Sequence, residues 1–324
     1  MSNKLRVLYH DNCFDGLASA AVFSRFYHGS IDPGAEIEYE GLTHTAGRNV
    51  GDDLFGAGEN VIVDFKYSAS DRLTWWFDHH ESAFLSPEDE AHFRHDASGR
   101  KFHDPTFRSC TKFIAHVAKT RFGFSAPDLE DLISWADVID GAQFPDPQTA
   151  VELKSPAMQL MLVIEAAHDR DLLHKIIRLM QREPLSRVLD DPQVRATFEA
   201  LYADHLRSID VMRERVTYKD DVIEYDVTDQ NLDGFNKFIP YYLFPQSVYC
   251  VGVSLSPQRA KVSVGTNPWS PRERIHNLAK LCEQYGGGGH AVVAAISFKP
   301  EDLDAARRAA REIARKLQND LKSA

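Results

Sequence analysis

Trp75-Trp76-Phe77-Asp78-His79-His80 is the stretch that most constrains what this chain can fold into. A bulky apolar run that ends in an acid and two imidazoles reads as a buried strand delivering ionisable groups to its carboxyl end. In open α/β sheets that edge is where ligands bind. The pattern recurs twice upstream. Leu5 to Tyr9 reads as a buried strand running into His10-Asp11-Asn12-Cys13-Phe14-Asp15-Gly16, and Leu17 to Phe23 then has small and apolar residues at helical spacing. Val61-Ile62-Val63 is another β-branched run, and it ends in Asp64. Strand, polar loop and helix open a parallel α/β unit, and three such runs set ionisable groups at one edge of one sheet. Each group alone has an ordinary alternative: a loop histidine for His10, a helix N-cap for Asp15, the start of a turn for Asp64. The repetition favours a site.

Further along, residues 81–105 are polar and read as loop. Ser109 to Phe122 reads as a helix with Phe113, Ile114 and Val117 on its core face, and Leu129 to Asp140 as an amphipathic helix closed by Gly141. Asp137 and Asp140 are three apart and share a side of that helix, so either can face the site. Pro145-Asp146-Pro147 breaks the pattern. From about Ser155 to Val216 the chain is helical, rich in Leu, Ile and Met. From Val222 the periodicity changes to strands at 222–227, 248–255 and 261–265, a helix at 272–284, a strand at 292–298 and a helix at 305–317. The expected organisation is an α/β catalytic domain over 1–150, a helical connector over 151–217 and a smaller α/β domain over 218–324.

Before the last strand stand Gly286-Gly287-Gly288-Gly289-His290. Four glycines cost chain entropy on ordering. The expected reason is close backbone approach, with successive N–H groups aimed at an anion and His290 as a further donor; a hinge is the alternative. No Gly-x-x-x-x-Gly-Lys-Ser/Thr occurs, so a P-loop is not indicated.

A formal net charge of −11 argues against coating duplex nucleic acid through a basic face, and it leaves room for a short anionic substrate. The four cysteines, Cys13, Cys110, Cys250 and Cys282, lie far apart without a C-x-x-C pair, which argues against a disulfide framework or a structural zinc site. No apolar run is long enough to span a bilayer. Met1 to Arg6 runs straight into the first strand with no signal-peptide pattern, and the expected location is cytoplasmic.

Collected, the candidates are His10, Asp15, Asp64, Asp78, His79, His80 and Asp137, with Asp140 in reserve. Carboxylates and imidazoles without a thiolate cluster suit Mn²⁺ or Mg²⁺ better than zinc. Two such ions about 4 Å apart can clamp both oxygens of an in-line displacement at phosphorus.

In this order the motifs resemble the DHH phosphoesterases that carry a DHHA1 C-terminal domain. The resemblance rests on His10-x-Asn12-Cys13-x-Asp15-Gly16, Val63-Asp64, Asp78-His79-His80, Ala136-Asp137 and Gly286 to His290, and it covers most of the chain. It implies a two-domain hydrolase with two manganese ions, magnesium being possible, in an inter-domain cleft. It implies His10, Asp15, Asp64, His79 and Asp137 as metal ligands, with Asp64 bridging. Asp78 would orient an imidazole, His80 would contact the phosphate or protonate the leaving group, and Gly286, Gly287, Gly288, Gly289 and His290 would hold the substrate. Two departures stand out. Cys13 occupies a place where many members have a further Asp, leaving Asp11 or Cys13 to supply a ligand. Ser263-Val264-Gly265-Thr266 lacks the Arg that many oligonucleotide-degrading members carry, with Arg259, Lys261 and Arg272 nearby in sequence. The implied activity is hydrolysis of phosphodiester or phosphomonoester bonds in a small nucleotide or short oligonucleotide, with no membrane and no stable duplex partner. A phosphoanhydride (pyrophosphate or polyphosphate) hydrolase and a non-catalytic nucleotide-binding protein are the alternatives.

Overall fold

A computed structural model describes residues 3–43, 50–230, 232 and 234–323. The chain divides into two units, residues 1–144 with 154–201, and residues 145–153 with 202–324. The division differs from the sequence boundaries. The segment expected to connect two domains is shared between them, and the second boundary falls inside one long helix (Pro192–Arg215).

The first unit is built on five strands, β1 (Lys4–His10), β2 (Glu36–Leu42), β3 (Glu59–Val63), β4 (Trp75–Asp78) and β5 (Lys101–His103). Their order is β2-β1-β3-β4-β5 and every pairing is parallel. Helices α1 (Phe14–Ser30), α2 (Pro87–His95), α3 (Cys110–Phe122) and α4 (Glu130–Asp140) belong to this unit. A parallel sheet must bury both faces, and the two tryptophans do so on opposite sides of β4. Trp75 packs against Phe23, Phe26 and Phe122 of α1 and α3, and Trp76 against Tyr67, Phe84 and Phe93. Both are fully buried, and their indole N–H groups donate to Glu59 Oε2 and to the Phe65 carbonyl, each at 2.9 Å.

Residues 81–105 are not all loop. Ser86 caps α2 by accepting from the Asp89 amide, with Pro87 in the first turn, and β5 adds the edge strand. The expected helix over 272–284 shortens to Leu278–Glu283. The Tyr249 hydroxyl accepts from the amides of Ile275 and His276 and holds the preceding segment out of helical geometry.

The second unit includes the short helix α5 (Pro147–Glu152) and a mixed sheet of β6 (Thr217–Lys219), β7 (Val222–Asp226), β8 (Tyr249–Leu255), β9 (Ala260–Thr266), β10 (Gly288–Gly289) and β11 (Val293–Phe298). Its order is β10-β11-β9-β8-β7-β6, with β7 and β8 parallel and the other pairs antiparallel. The helices Leu278–Glu283 and Leu303–Ser323 cover one face; Ala306, Ala310, Ile313, Leu317 and Leu321 form the buried stripe of the longer one. Spacing of three or four residues keeps that stripe on one side of the helix.

Candidate metal centre

β1, β3 and β4 run parallel, so their carboxyl ends share one edge of the first sheet. Those ends carry His10, Asp64 and Asp78-His79-His80. β1 and β3 are also the neighbours from which the chain departs in opposite directions along the sheet. Such a switch point leaves a crevice at the carboxyl edge, where open α/β sheets bind ligands.

Local geometry aims each group. Gly16 lets the first turn of α1 close onto the end of β1, since a Cβ there would sit 2.1 Å from the His10 carbonyl oxygen. Asp64 follows β3 with a left-handed backbone (φ 56°), a conformation that Asp tolerates better than most residues. Asp15, fully buried in α1, accepts from the amides of Cys110 (2.6 Å) and Thr111 (3.1 Å) at the start of α3. It therefore sits at the positive end of another helix and does not cap its own.

Asp64 is the centre of the arrangement. One of its oxygens, Oδ2, lies 3.3 Å from His10 Nδ1, and the other, Oδ1, lies 3.4 Å from His79 Nε2. His79 Nε2 is also 3.4 Å from Asp140 Oδ2 and 3.9 Å from Asp15 Oδ2. Three sets of ligand atoms come together within 4.8 Å: His10, Cys13 and Asp64; Asp64, His79 and His80; Asp15, His79 and Asp140. Asp64 Oδ1 and His79 Nε2 are buried without a hydrogen-bond partner. Native proteins rarely leave such atoms orphaned. Donors about 2.1 Å from a common ion in tetrahedral or octahedral array lie about 3.0–3.4 Å apart, which matches the Asp64–His79–Asp140 spacings. The residues fit a divalent cation.

The imidazoles are oriented from behind. His79 Nδ1 lies 3.1 Å from the Phe107 carbonyl, an acceptor only, so Nδ1 carries the hydrogen and Nε2 faces the carboxylates. Asp78 Oδ1 accepts from the amides of His79 (2.8 Å) and His80 (3.3 Å) and from His80 Nδ1 (2.7 Å). Nδ1 is thereby engaged, and the His80 side chain is 39% exposed.

Charge crowding shifts the titrations. Burial and then the carboxylates of Asp64 and Asp140 push Asp15 well above the usual range, and burial and then Asp64 push Asp140 to about 6. Burial opposes ionisation of Asp64, but the adjacent imidazoles of His10 and His79 outweigh it and hold Asp64 near 2. Burial likewise opposes protonation of His79, and Asp64, Asp15 and Asp140 override it to about 10. His80 is raised, first by its hydrogen bond to Asp78.

Of the sequence candidates, the structure brings His10, Asp15, Asp64, Asp78, His79 and His80 together. Asp137 and Asp140 separate: Asp137 Oδ2 pairs with Lys112 Nζ at 2.6 Å and its Oδ1 is buried without a hydrogen-bond partner, while Asp140, the last residue of α4, reaches His79. Lys112, the Phe107 carbonyl and the α3 amides carry no motif, and a main-chain acceptor leaves no side-chain signal to find.

In the second unit, part of the glycine run is engaged by the chain's own backbone. The amides of Gly286, Gly287 and His290 donate to Glu283, Cys282 and Val293 carbonyls, so they are not aimed at an anion. The glycines serve the chain path. Gly286 and Gly289 have φ of +76° and +144°, and a Cβ on Gly287 would meet the Ala295 carbonyl oxygen at 2.4 Å. His290 and Gly289 are exposed. Arg272 is engaged by Asp221 at 3.1 Å, and Arg259 lies 3.3 Å from Ser297 Oγ.

No protein-family model and no curated protein sequence matches the chain. Solved structures do. A pGpG-specific phosphodiesterase, PggH from Vibrio cholerae, superposes with a TM-score of 0.70 at 18% identity, over 99% of this chain and 99% of that one. An exopolyphosphatase-related protein from Bacteroides fragilis gives 0.56 at 14% identity, over 99% and 94%. RecJ from Thermus thermophilus, in complex with Mn²⁺, gives 0.55 at 15%, over 97% of this chain and 52% of RecJ. The fold of this chain is that of the DHH phosphoesterases, a parallel α/β unit followed by a second, mixed-sheet α/β unit.

Proposed function

We propose that this protein is a metal-dependent hydrolase of phosphoric esters that holds two divalent ions, with manganese preferred and magnesium the alternative, and acts on a short nucleotide-type substrate. The observation that carries this reading is Asp64, whose two oxygens face two different sets of ligand atoms, as a bridging carboxylate does. His10 and Asp64 would hold one ion; Asp64, Asp15, His79 and Asp140 would hold the other. Asp140 takes the place that the resemblance assigns to Asp137, because Asp137 is committed to Lys112. Divalent ions there would offset charge on phosphate oxygens and acidify the attacking water.

The chain's own groups position and protonate. Asp78 fixes His80 through Nδ1 and favours its cationic form, so His80 Nε2–H is a donor for a phosphate oxygen or for the departing oxygen. Asp15, held by two amides, cannot swing away from His79. In the second unit, the exposed His290 imidazole and the glycine run are assigned to an anionic end of the substrate, with the imidazole and not the engaged amides of Gly286, Gly287 and His290 as the contact. The full-length likeness to PggH and the acidic net charge favour a dinucleotide over a long strand. The likeness to an exopolyphosphatase-related protein keeps a phosphoanhydride as the second reading.

The test is Mn²⁺-dependent release of phosphate or nucleotide from a 5′-phosphorylated dinucleotide, a longer oligonucleotide, a 3′,5′-bisphosphorylated nucleoside, cyclic dinucleotides and pyrophosphate. Turnover of a dinucleotide that Asp64→Ala and His79→Ala both abolish is the expected result. Turnover of pyrophosphate alone transfers the assignment to the second reading. Bound Mn²⁺ without turnover of any member sinks the hydrolase and leaves a binding protein.

A further inference from the structure

Cys13 is the N-cap residue of α1, half-buried, and its side chain caps nothing. Its sulfur belongs to one of the three ligand sets, with donor atoms of His10 and Asp64 all within 4.8 Å of one another. The carboxylate at this place is buried: Asp64 is 1% exposed, and Oδ2, the oxygen on this side, lies 3.3 Å from His10 Nδ1. Asp11 is elsewhere: its carboxyl group lies against Gly41 and accepts from the Asn12 amide at 3.0 Å. Among the described residues, Cys13 is therefore the group that joins His10 and Asp64 as a third donor.

We propose that Cys13 is a thiolate ligand of the ion held by His10 and Asp64, so that the paired site is chemically unsymmetrical. One position is sulfur, nitrogen and oxygen; the other is carboxylates and imidazole. This rests on the paired-metal reading above and deepens it. Thiolates bind zinc, cobalt(II) and iron(II) far better than the hard magnesium ion, which prefers oxygen donors. The first position accordingly selects an ion of the softer class, and the second accepts manganese or magnesium. Binding displaces the thiol proton to solvent and forms one metal–sulfur bond.

Metal-free full-length protein is titrated with CoCl₂, following absorbance and calorimetric stoichiometry on the same sample. The expected result is a near-ultraviolet thiolate-to-cobalt charge-transfer band that saturates with one of two bound equivalents, disappears in Cys13→Ser and persists in Cys110→Ser. On the zinc-loaded protein, X-ray absorption should show one sulfur scatterer at about 2.3 Å. Cys13→Asp should lower the preference for Zn²⁺ over Mg²⁺ by more than tenfold, a readout that does not depend on the serine variant folding. Two cobalt ions bound without the band, or a band that survives in Cys13→Ser, overturns the thiolate ligand and leaves the paired-metal reading standing. Failure to bind cobalt at all overturns both.

Discussion

Asp64→Asn is the substitution on which the site reading turns, and its effects can be worked out with and without metal. In the metal-free protein, Asp64 is held near 2, below its ordinary 3.8, by His10 and His79. A depressed carboxyl contributes stability above the unfolded value and loses it as pH falls through the folded one. At pH 7 that contribution is about 2 kcal/mol, from roughly 1.4 kcal/mol for each unit of pKa. The amide loses it, so the metal-free variant unfolds about 4–8 °C earlier at roughly 2–4 °C per kcal/mol. With metal the difference grows. An ion at a hundred times its Kd stabilises the native state by about 2.7 kcal/mol, worth about 5–11 °C for the wild type. The variant lacks the carboxylate shared by both positions and should gain less than about 2 °C. Three of the four tryptophans, Trp75, Trp76 and Trp135, lie in the first unit and Trp269 in the second, so intrinsic fluorescence during heating, after EDTA and after MnCl₂, is weighted to the relevant transition. Equal metal-induced shifts in wild type and Asp64→Asn would refute the bridging argument. No shift in the wild type would refute the metal centre.

Three more outcomes follow from the same geometry. His79 is protonated up to about 10 in the metal-free protein, so Mn²⁺ must displace that proton. A group raised above its unfolded value loses its stabilising effect as pH rises from about 6.5 to 10, so the metal-free protein weakens over that window. Mn²⁺ affinity moves the other way, by about tenfold per pH unit between 7 and 9 for one proton; calorimetry in two buffers should count it, and a flat profile would rule the linkage out. Asp140→Asn should weaken Mn²⁺ binding by more than about tenfold, while Asp137→Asn, whose Oδ2 is taken by Lys112, should change it by less than about threefold; the reverse ranking would return the ligand role to Asp137. Asp78→Asn should lower kcat by about 10–100-fold through misorientation of His80. Steady-state kinetics beside Mn²⁺ stoichiometry separates that from loss of the ions, and unchanged kcat would remove His80 from the chemistry.

Much of the first unit was legible because its central strands are apolar runs that end abruptly in charge. Val61-Ile62-Val63-Asp64 and Trp75 to His80 announce both a buried strand and its functional end. The edge strand Lys101–His103 gave no such signal, since all three residues are half-buried and none stands in an apolar run. The helix at Pro87–His95 carries a Ser-Pro capping signature, but its sole buried residue is Asp89, so hydrophobic periodicity missed it. At 272–277 the segment departs from helix because of a hydroxyl on Tyr249, far away in sequence.

By itself the sequence determined the parallel unit, the edge on which its ionisable groups collect, and the set of residue types offered there. Periodicity and strand-end chemistry are local properties, and the chain states them locally. Tertiary structure decided which members of that set meet. Spacing puts Asp137 and Asp140 on one side of α4, but Lys112 of α3 takes the first and leaves the second for His79. The tautomer of His79 depends on the Phe107 carbonyl, and the fixed position of Asp15 depends on two amides at the start of α3. The path of the glycine run, and the engagement of the Gly286, Gly287 and His290 amides, depend on carbonyls of neighbouring backbone. Charge, burial and hydrogen-bond direction depend on what stands opposite a group, and that is settled only when separate segments pack.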